Sequence, residues 1–240
     1  MTTAQPYLLA PDDTRFPPVE RAHASGLLAV GGDLRPERLR AAYAHGIFPW
    51  YSAGAPLLWW SPDPRCVFDT AHTRPQRRFA RTLRALPWTL SVDRAFDRVI
   101  AACAAPRAGQ RGTWITPAMR RAYVRLHQLG HAHSFEVWDG GELVGGLYGV
   151  ASGGMFSGES MFSARSGGSK VALYAVCRAL AAWRMPLLDA QVANAHTLAL
   201  GAIEMPRAEF IATLQSLADV HAPGDWDAAL PLRHAAALVA

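Results

Sequence analysis

Cysteine is scarce in this chain of 240 residues, and long apolar runs are missing. The three cysteines, Cys66, Cys103 and Cys177, are odd in number and far apart, so neither a disulfide framework nor a cysteine zinc site is expected. No apolar run approaches the about 18 residues of a membrane-crossing helix. Residues 1–11 lack the basic-then-apolar pattern of a secretory signal. These absences predict a soluble cytoplasmic protein with no membrane partner.

Several catalytic motifs are missing as well. The sequence has no G-x-x-x-x-G-K-[ST] and no G-x-G-x-x-G after a strand, so no nucleotide-phosphate cradle is indicated. The absence of G-x-S-x-G also argues against an α/β-hydrolase serine. His131 and His133 form an H-x-H pair, but no third ligand stands at a suitable spacing, so no metal is expected. The pattern favours an ATP-independent transfer reaction that needs no cofactor.

Composition indicates a folded chain in two parts. Half of the residues are apolar and 18% are charged, which is globular composition, and the length allows one or two domains. Proline, glycine and aromatics are concentrated before about residue 62, and regular periodicities begin at Cys66. We therefore predict a small N-terminal domain (1–63) and a larger domain (64–240). Residues 46–64 hold three tryptophans and four prolines, which predicts an ordered, aromatic-packed loop.

The larger domain reads as β-α-α-β-β-β-α-β-α. Alternating residues on either side of Asp139-Gly140-Gly141 predict a hairpin, and a third strand is expected to run from Met155 to Glu159. Helices are predicted with Asp93, Thr116 and Ser169 as N-caps, the second of them burying Leu129. This order is α/β with a mixed sheet, and it is similar to the acyl-CoA N-acyltransferase fold.

A helix over residues 76–86 carries one basic stripe. Five arginines recur at spacings of three and four, with Phe79, Leu83 and Leu86 opposite them: Arg74, Arg77, Arg78, Arg81 and Arg84. No acid stands between Asp69 and Asp93. The stripe, which we call the basic stripe, predicts contact with an RNA backbone; the alternative is a solvated basic face.

Two short segments carry polar residues suited to chemistry. Glu159 stands at the expected end of the third strand among small and apolar neighbours, where a carboxylate needs a cation or hydrogen bonds. In the strand 187–192, Asp189 and Gln191 are two residues apart and are expected on one face. The alternatives are a structural carboxylate that holds a loop and a local hydrogen-bond network.

Eight motifs together resemble one family. They run in order as GLLAVGGDL (26–34), GIFPWYS (46–52), LLWWSPDPR (57–65), GTWIT (112–116), LGHAHSFEVW (129–138), GELVGGLYGVA (141–151), SGESMFS (157–163) and LLDAQV (187–192). The chain is similar over about residues 15–215 to the leucyl/phenylalanyl-tRNA–protein transferases. This resemblance implies an enzyme that moves Leu or Phe from its charged tRNA to the N-terminal Arg or Lys of a protein, tagging that protein for degradation by the N-degron route.

The resemblance also implies a role for each matching position. Trp50 and Trp114 match the aromatic residues that hold the terminal adenosine. The pocket for the transferred side chain corresponds to Leu147, Met161, Leu173, Val176 and Leu188, with Val176 at a position where a larger aromatic occurs. Glu159, Asp189 and Gln191 match the polar residues of the reaction centre.

The expected chemistry follows from an ester that is already activated. Asp189 is expected to orient the attacking amine and to accept from it. Gln191 is expected to hold the carbonyl or relay the proton, and Glu159 to hold the acceptor peptide, with the division between these two left open. Two other functions remain possible: an acyl-CoA-dependent N-acetyltransferase with residues 165–168 as its pyrophosphate loop, and a non-catalytic tRNA-binding module.

Overall fold

Two β-sheets organise the chain in the computed structural model, which describes residues 5–106 and 113–239. Gly112, the first residue of the GTWIT motif, lies outside the described residues. The predicted boundary at 63/64 falls between the last strand of the first sheet, which ends at Trp60, and the first strand of the second, which begins at Arg65. The boundary itself stays a prediction.

The smaller sheet has four strands in the order β1-β2-β4-β3. They are β1 (Tyr7–Leu9), β2 (Leu27–Gly31), β3 (Phe48–Pro49) and β4 (Leu58–Trp60), with helix α1 (Pro36–Ala44) between β2 and β3. The prediction for residues 46–64 was wrong in part, because β3 and β4 pair with each other inside this segment. The buried Trp59 ring donates its Nε1–H to the Gly31 carbonyl at 2.9 Å, so aromatic packing does order the segment.

The larger sheet has seven strands in the order β11-β5-β10-β9-β8-β7-β6. They are β5 (Arg65–Asp69), β6 (Thr89–Val92), β7 (Ala132–Asp139), β8 (Glu142–Ser152), β9 (Met155–Ser163), β10 (Leu187–Gln191) and β11 (Ile203–Met205). Only β9 and β10 are parallel neighbours. The predicted hairpin is confirmed as β7 and β8.

Helices cover both faces of the larger sheet. They are α2 (Arg77–Ala85), α3 (Phe96–Ala104), α4 (Pro117–Gln128), α5 (Gly168–Ala182), α6 (Ala195–Ala199) and α7 (Arg207–Ser216). Leu147 of β8 packs in one apolar cluster with α5 and α2, and its neighbour Tyr148 packs in another with α1, α3 and α4. The α/β fold class with a smaller N-terminal part is confirmed, and the element order matches the prediction from β6 to α6.

Local details differ from the sequence expectations at three helices. Asp93 does not cap α3; its backbone is left-handed (φ 59°), and its carboxylate accepts from the backbone N–H of Ser134 at 2.9 Å. The helix α5 begins after Gly167, not at Ser169, because Gly167 takes the positive φ of 91° that the turn requires. Leu129 is 42% exposed because α4 ends at Gln128 and the chain turns away.

The segment after Ala218, for which the sequence offered no motif, closes the core. The Trp226 ring stacks on His133 with centroids 3.8 Å apart, and the Asp227 carboxylate accepts from the backbone N–H of Val92 at 2.9 Å. A final 3-10 turn (Ala235–Val239) packs beside α2 and α5. In the described part of the chain, no helix is both long and apolar enough to cross a membrane.

Candidate active site

The site is an opening between two parallel strands. β9 and β10 pair only over residues 155–157 and 187–189. Beyond that point Glu159 is the unpaired residue of a β-bulge between β8 and β9, and Gln191 turns into the left-handed region (φ 57°). The third strand therefore does not end at Glu159, as the sequence suggested, but continues to Ser163. The bulge and the turn separate the strands and leave a cleft.

A cavity of about 310 Å³ occupies this cleft. Its wall combines the N-terminal segment, the chain around Trp114, the bulge and the end of β10. The lining is Phe48, Pro49, Trp50, Trp114, Glu159, Ala190, Gln191, Val192, Ala193 and Asn194. The structure thus brings together four of the residues that the sequence singled out. Among the described residues that line it, Glu159 is the only charged one, and Trp50 is 44% exposed.

Asp189 is buried behind this cavity rather than lining it. Both of its oxygens accept hydrogen bonds from Arg65, from Nε and Nη2, at 2.7 Å each. The Ser157 hydroxyl and the backbone N–H of Gln191 donate to the same carboxylate at 2.9 Å. Four donors occupy its acceptor positions, and the side chain is fully buried. The expectation that Asp189 accepts from the attacking amine does not fit this geometry.

Arg65, which the sequence analysis missed, ties the two sheets together at this point. Its Nη1 donates to the carbonyl of Gly46 at 2.9 Å. Its guanidinium lies over the Phe48 ring at 4.9 Å and the Phe210 ring at 4.6 Å. The only sequence signal was the position of Arg65 at the end of the LLWWSPDPR motif.

Glu159 is held from both sides. Gln191 Nε2 donates to its Oε1 at 3.1 Å, and the Tyr123 hydroxyl donates to its Oε2 at 2.9 Å. A second hydroxyl, that of Tyr43, lies 2.5 Å from that of Tyr123. Burial raises the pKa of Glu159 to about 7, against the opposing effect of the tyrosine hydrogen bonds. The sequence predicted Tyr123 only as an apolar-face residue of α4, and Tyr43 gave no signal.

The five predicted pocket residues lie together on the α5 side of the sheet. Four of them are buried, Leu147, Leu173, Val176 and Leu188. Met161 packs against them and lies opposite Leu147 in the β8–β9 register. None of the five belongs to the lining of the 310 Å³ cavity. They form an apolar cluster behind the cavity, next to Gly158. A Cβ atom at position 158 would lie 3.3 Å from Leu188 Cδ1.

The basic stripe lies on the surface, away from the cavity lining. Its five arginines are exposed on or just before α2. As predicted, the opposite face packs inward through Leu83, with Phe79 and Leu86 partly buried. None of the five makes an ion pair within the described residues.

Across residues 5–106 and 113–239, no group of three or more His, Cys, Asp or Glu side chains is arranged to bind a metal ion.

Two family models match this chain. One, described as leucyl/phenylalanyl-tRNA protein transferase, matches residues 67–215, and its N-terminal-domain counterpart matches residues 32–63. The chain belongs to this family. It is therefore an enzyme of the aminoacyltransferase class.

Bacterial relatives named leucyl/phenylalanyl-tRNA–protein transferase match over nearly their whole length. One from Xanthomonas euvesicatoria pv. vesicatoria is 61% identical over 217 residues, 89% of this chain and 87% of the relative. Another from Xanthomonas axonopodis pv. citri is 57% identical over 238 residues, 97% and 96% of the two chains. A third from Xylella fastidiosa is 54% identical over 228 residues, 93% and 94% of the two.

The buried ion pair of this transferase predicts a large stability cost for one substitution. Arg65→Ala leaves the Asp189 carboxylate buried and unpaired, so the free energy of unfolding is expected to fall by about 3–5 kcal/mol. The matched control is Arg165→Ala, which removes an arginine that is 46% exposed and paired with Asp139 and Glu142. That change is expected to cost about 1 kcal/mol or less. Urea unfolding measures the free energy of unfolding of both variants. Equal losses would contradict the claim that the buried Arg65–Asp189 pair is important for stability.

Proposed function

We propose that this transferase moves Leu or Phe, and also Met, from charged tRNA to the N-terminal Arg or Lys of acceptor proteins. In the cytoplasm such a transfer would tag those proteins for degradation by the N-degron route. The observation that carries the proposal is the cavity, which places two indole rings and the Glu159 carboxylate around one small space. An aromatic wall suits a nucleobase, and a carboxylate suits a cationic acceptor.

Trp50 and Trp114 are proposed to hold the terminal adenosine of the tRNA. Each belongs to a different part of the fold, one just after β3 and the other just before α4. The Tyr51 hydroxyl lies 3.1 Å from the Thr116 hydroxyl. This contact links the segment just after Trp50 to the segment just after Trp114. A base between the rings would gain stacking of about 1–3 kcal/mol, independent of sequence.

The reaction asks little of acid–base chemistry. The α-amine of the acceptor has a pKa of about 7.7–8.0, so its neutral fraction at neutral pH is on the order of 10%. That amine attacks the ester carbonyl, the new C–N bond forms, and the C–O bond to the ribose breaks. The amine nitrogen loses a proton, and the ribose oxygen takes one up. Positioning of the two groups and stabilisation of the oxyanion supply most of the acceleration.

The described contacts suggest how the polar residues share this work. Glu159 faces the cavity and is proposed to hold the cationic acceptor residue. Gln191 Nε2 donates to Glu159, so the oxygen of the same side-chain amide is left to accept from the attacking amine. Asp189 is proposed to act through Gln191, whose backbone N–H it fixes.

The acyl-CoA alternative is disfavoured by the loop before α5. Arg165, which would meet a pyrophosphate, is paired with two acids, Asp139 and Glu142. The backbone N–H of Ser169 donates to the Ser163 hydroxyl, and that of Gly168 to the Arg165 carbonyl. These donors are already used. The other alternative, a non-catalytic tRNA-binding module, leaves the arrangement of Glu159 and Gln191 in the cavity without a purpose.

A transfer assay tests the proposal directly. Radiolabelled Leu-tRNA, with acetyl-CoA as a parallel donor, is offered to peptides that begin with Arg, Lys or Asp and are otherwise identical. Transfer is expected from Leu-tRNA to the Arg and Lys peptides alone. Glu159→Gln is expected to lower transfer to the Arg peptide by about 10- to 100-fold, because a hydrogen bond between charged groups is lost. Acetylation without leucine transfer would overturn the proposal.

The apolar cluster predicts which amino acids are transferred. Leu, Phe and Met have an unbranched Cβ and are expected to pass, with flexible Met161 repacking around each of them. Ile and Val carry a second heavy atom on Cβ, so they are expected to be poorer by about 10- to 200-fold. The measurement is competitive transfer from the five charged tRNAs.

One variant and one control sharpen that measurement. Leu188→Ala enlarges the space within the cluster and should reduce the ratio of the Leu transfer rate to the Ile transfer rate. Leu198→Ala, which truncates a leucine that is 45% exposed outside the cluster, should leave this ratio unchanged. Equal rates for Ile and Leu in the unaltered enzyme would remove the cluster from the side-chain site.

The basic stripe predicts tRNA binding by charge. Replacing Arg77, Arg78 and Arg81 with Ala is expected to weaken every tRNA similarly and to lower the salt slope by about two to three. The matched control replaces three exposed arginines of α4, Arg120, Arg121 and Arg125, with Ala. Binding is measured at several KCl concentrations. An unchanged slope would make the stripe a solvated face, and an equal effect of the control would show a response to net charge alone.

A further inference from the structure

We infer that Tyr43, on α1 of the N-terminal domain, is a positioning residue for the transfer: through Tyr123 it orients the Glu159 carboxylate and favours its ionised form. The inference rests on the proposed function, in which that carboxylate meets a cationic acceptor. Tyr43 lies outside the cavity lining and belongs to α1, the helix between strands β2 and β3 of the smaller sheet.

Three buried tyrosines surround Glu159. The Tyr43 and Tyr123 hydroxyls are 2.5 Å apart, and Tyr123 continues to Glu159 Oε2 at 2.9 Å. The third, Tyr148, packs edge-on against the Tyr123 ring with centroids 5.7 Å apart. Its hydroxyl is buried without a hydrogen-bond partner within the described residues. Two of the three tyrosines therefore form a chain to the carboxylate, and the third stands beside that chain.

The number of hydrogens fixes the direction of the chain. A hydroxyl has one hydrogen, and an ionised carboxylate can only accept. When Glu159 is ionised, the Tyr123 hydrogen must point to Oε2, so the hydrogen between the two tyrosines must come from Tyr43. A hydroxyl that receives a hydrogen bond donates a stronger one. Tyr43 thus strengthens the bond from Tyr123 to the carboxylate, and its hydroxyl also lowers the pKa of Glu159.

The other charged and titratable groups around Glu159 do not replace this chain. They come from four elements besides α1: Tyr123 of α4, Tyr148 of β8, Asp189 of β10 and Arg65 of β5. The charges of Asp189 and Arg65 act on Glu159 in opposite directions, and these two residues are paired with each other. Burial opposes ionisation of Glu159, and the hydrogen bonds of the tyrosines favour the anion. Gln191 Nε2 donates a further hydrogen bond to the same carboxylate.

Conservative variants separate positioning from packing. Tyr43→Phe and Tyr123→Phe keep the rings and remove one hydroxyl each, and Tyr148→Phe is the matched control because its hydroxyl has no partner within the described residues. The measurement is the pH profile of kcat/KM with Leu-tRNA and a peptide beginning with Arg. Because the acceptor amine also titrates near about 7.7–8.0, each profile is divided by that of Glu159→Gln.

The acidic limb of the corrected profile reports the ionisation of Glu159 in the free enzyme. Losing the direct donor in Tyr123→Phe is expected to move this limb to higher pH by about one unit. Tyr43→Phe should move it in the same direction, because its hydroxyl strengthens the Tyr123 bond and also lowers the pKa of Glu159. Tyr148→Phe should not move it. A purely structural role for Tyr43 would lower the rate at all pH values and leave the limb in place.

A second readout needs no activity. The folded pKa of Glu159, about 7, lies above its unfolded value, so the protonated group stabilises the fold at low pH and this stability is lost as pH rises toward 7. Tyr43→Phe should extend the loss to higher pH, relative to Glu159→Gln. Absence of transfer by the unaltered enzyme would overturn the proposed function and leave this readout intact. An unmoved limb together with an unmoved stability profile in Tyr43→Phe would overturn the inference.

Discussion

The ion pair between Arg65 and Asp189 is the contact on which the rest of the site depends. Both groups are almost wholly buried, and burying two charges costs several kcal/mol each unless every donor and acceptor is met. Here the pair is bidentate at 2.7 Å, and two further donors complete the carboxylate. The guanidinium lies against Phe48 on one side and Phe210 on the other. One pair therefore fixes β5, β10, the N-terminal segment and α7 relative to one another.

That fixed point explains the irregular backbone beside it. Gln191 has a positive φ, which costs a residue other than glycine about 1–3 kcal/mol. Its N–H is held by the Asp189 carboxylate, which offsets part of this cost and turns the side chain toward Glu159. On β9, the bulge brings Glu159 out of the ladder to meet it. The cleft thus opens where two strands leave regular geometry, which is where an active site is expected to store strain.

Local periodicity was enough to predict most of the larger domain and little of the hydrogen bonding within the site. The buried face of α2 and the hairpin of β7 and β8 follow from spacings of three, four and two residues. The strands β5 and β11 were missed because each is short and pairs with chain far away in sequence. The same limit hid the contacts of the candidate site: Arg65 and Asp189 are 124 residues apart, and Tyr43 and Tyr123 are 80 apart. The bulge at Glu159 also has no periodic signature, so the strand was ended there.

The proposed chemistry and this architecture agree on where the free energy is needed. Deprotonating an amine of pKa about 7.7–8.0 at neutral pH costs only about 1 kcal/mol, so a strongly shifted base would add little. Most of the barrier is the entropy lost in bringing amine and ester together, for which well-oriented groups gain about 7–11 kcal/mol. Such a gain requires side chains that do not reorient. Glu159 bonded from two sides, Gln191 fixed through its backbone and Asp189 saturated by four donors meet that requirement. A site of this kind works through rigidity, and its rigidity comes from hydrogen bonds that originate outside the cavity, on β5, α1 and α4.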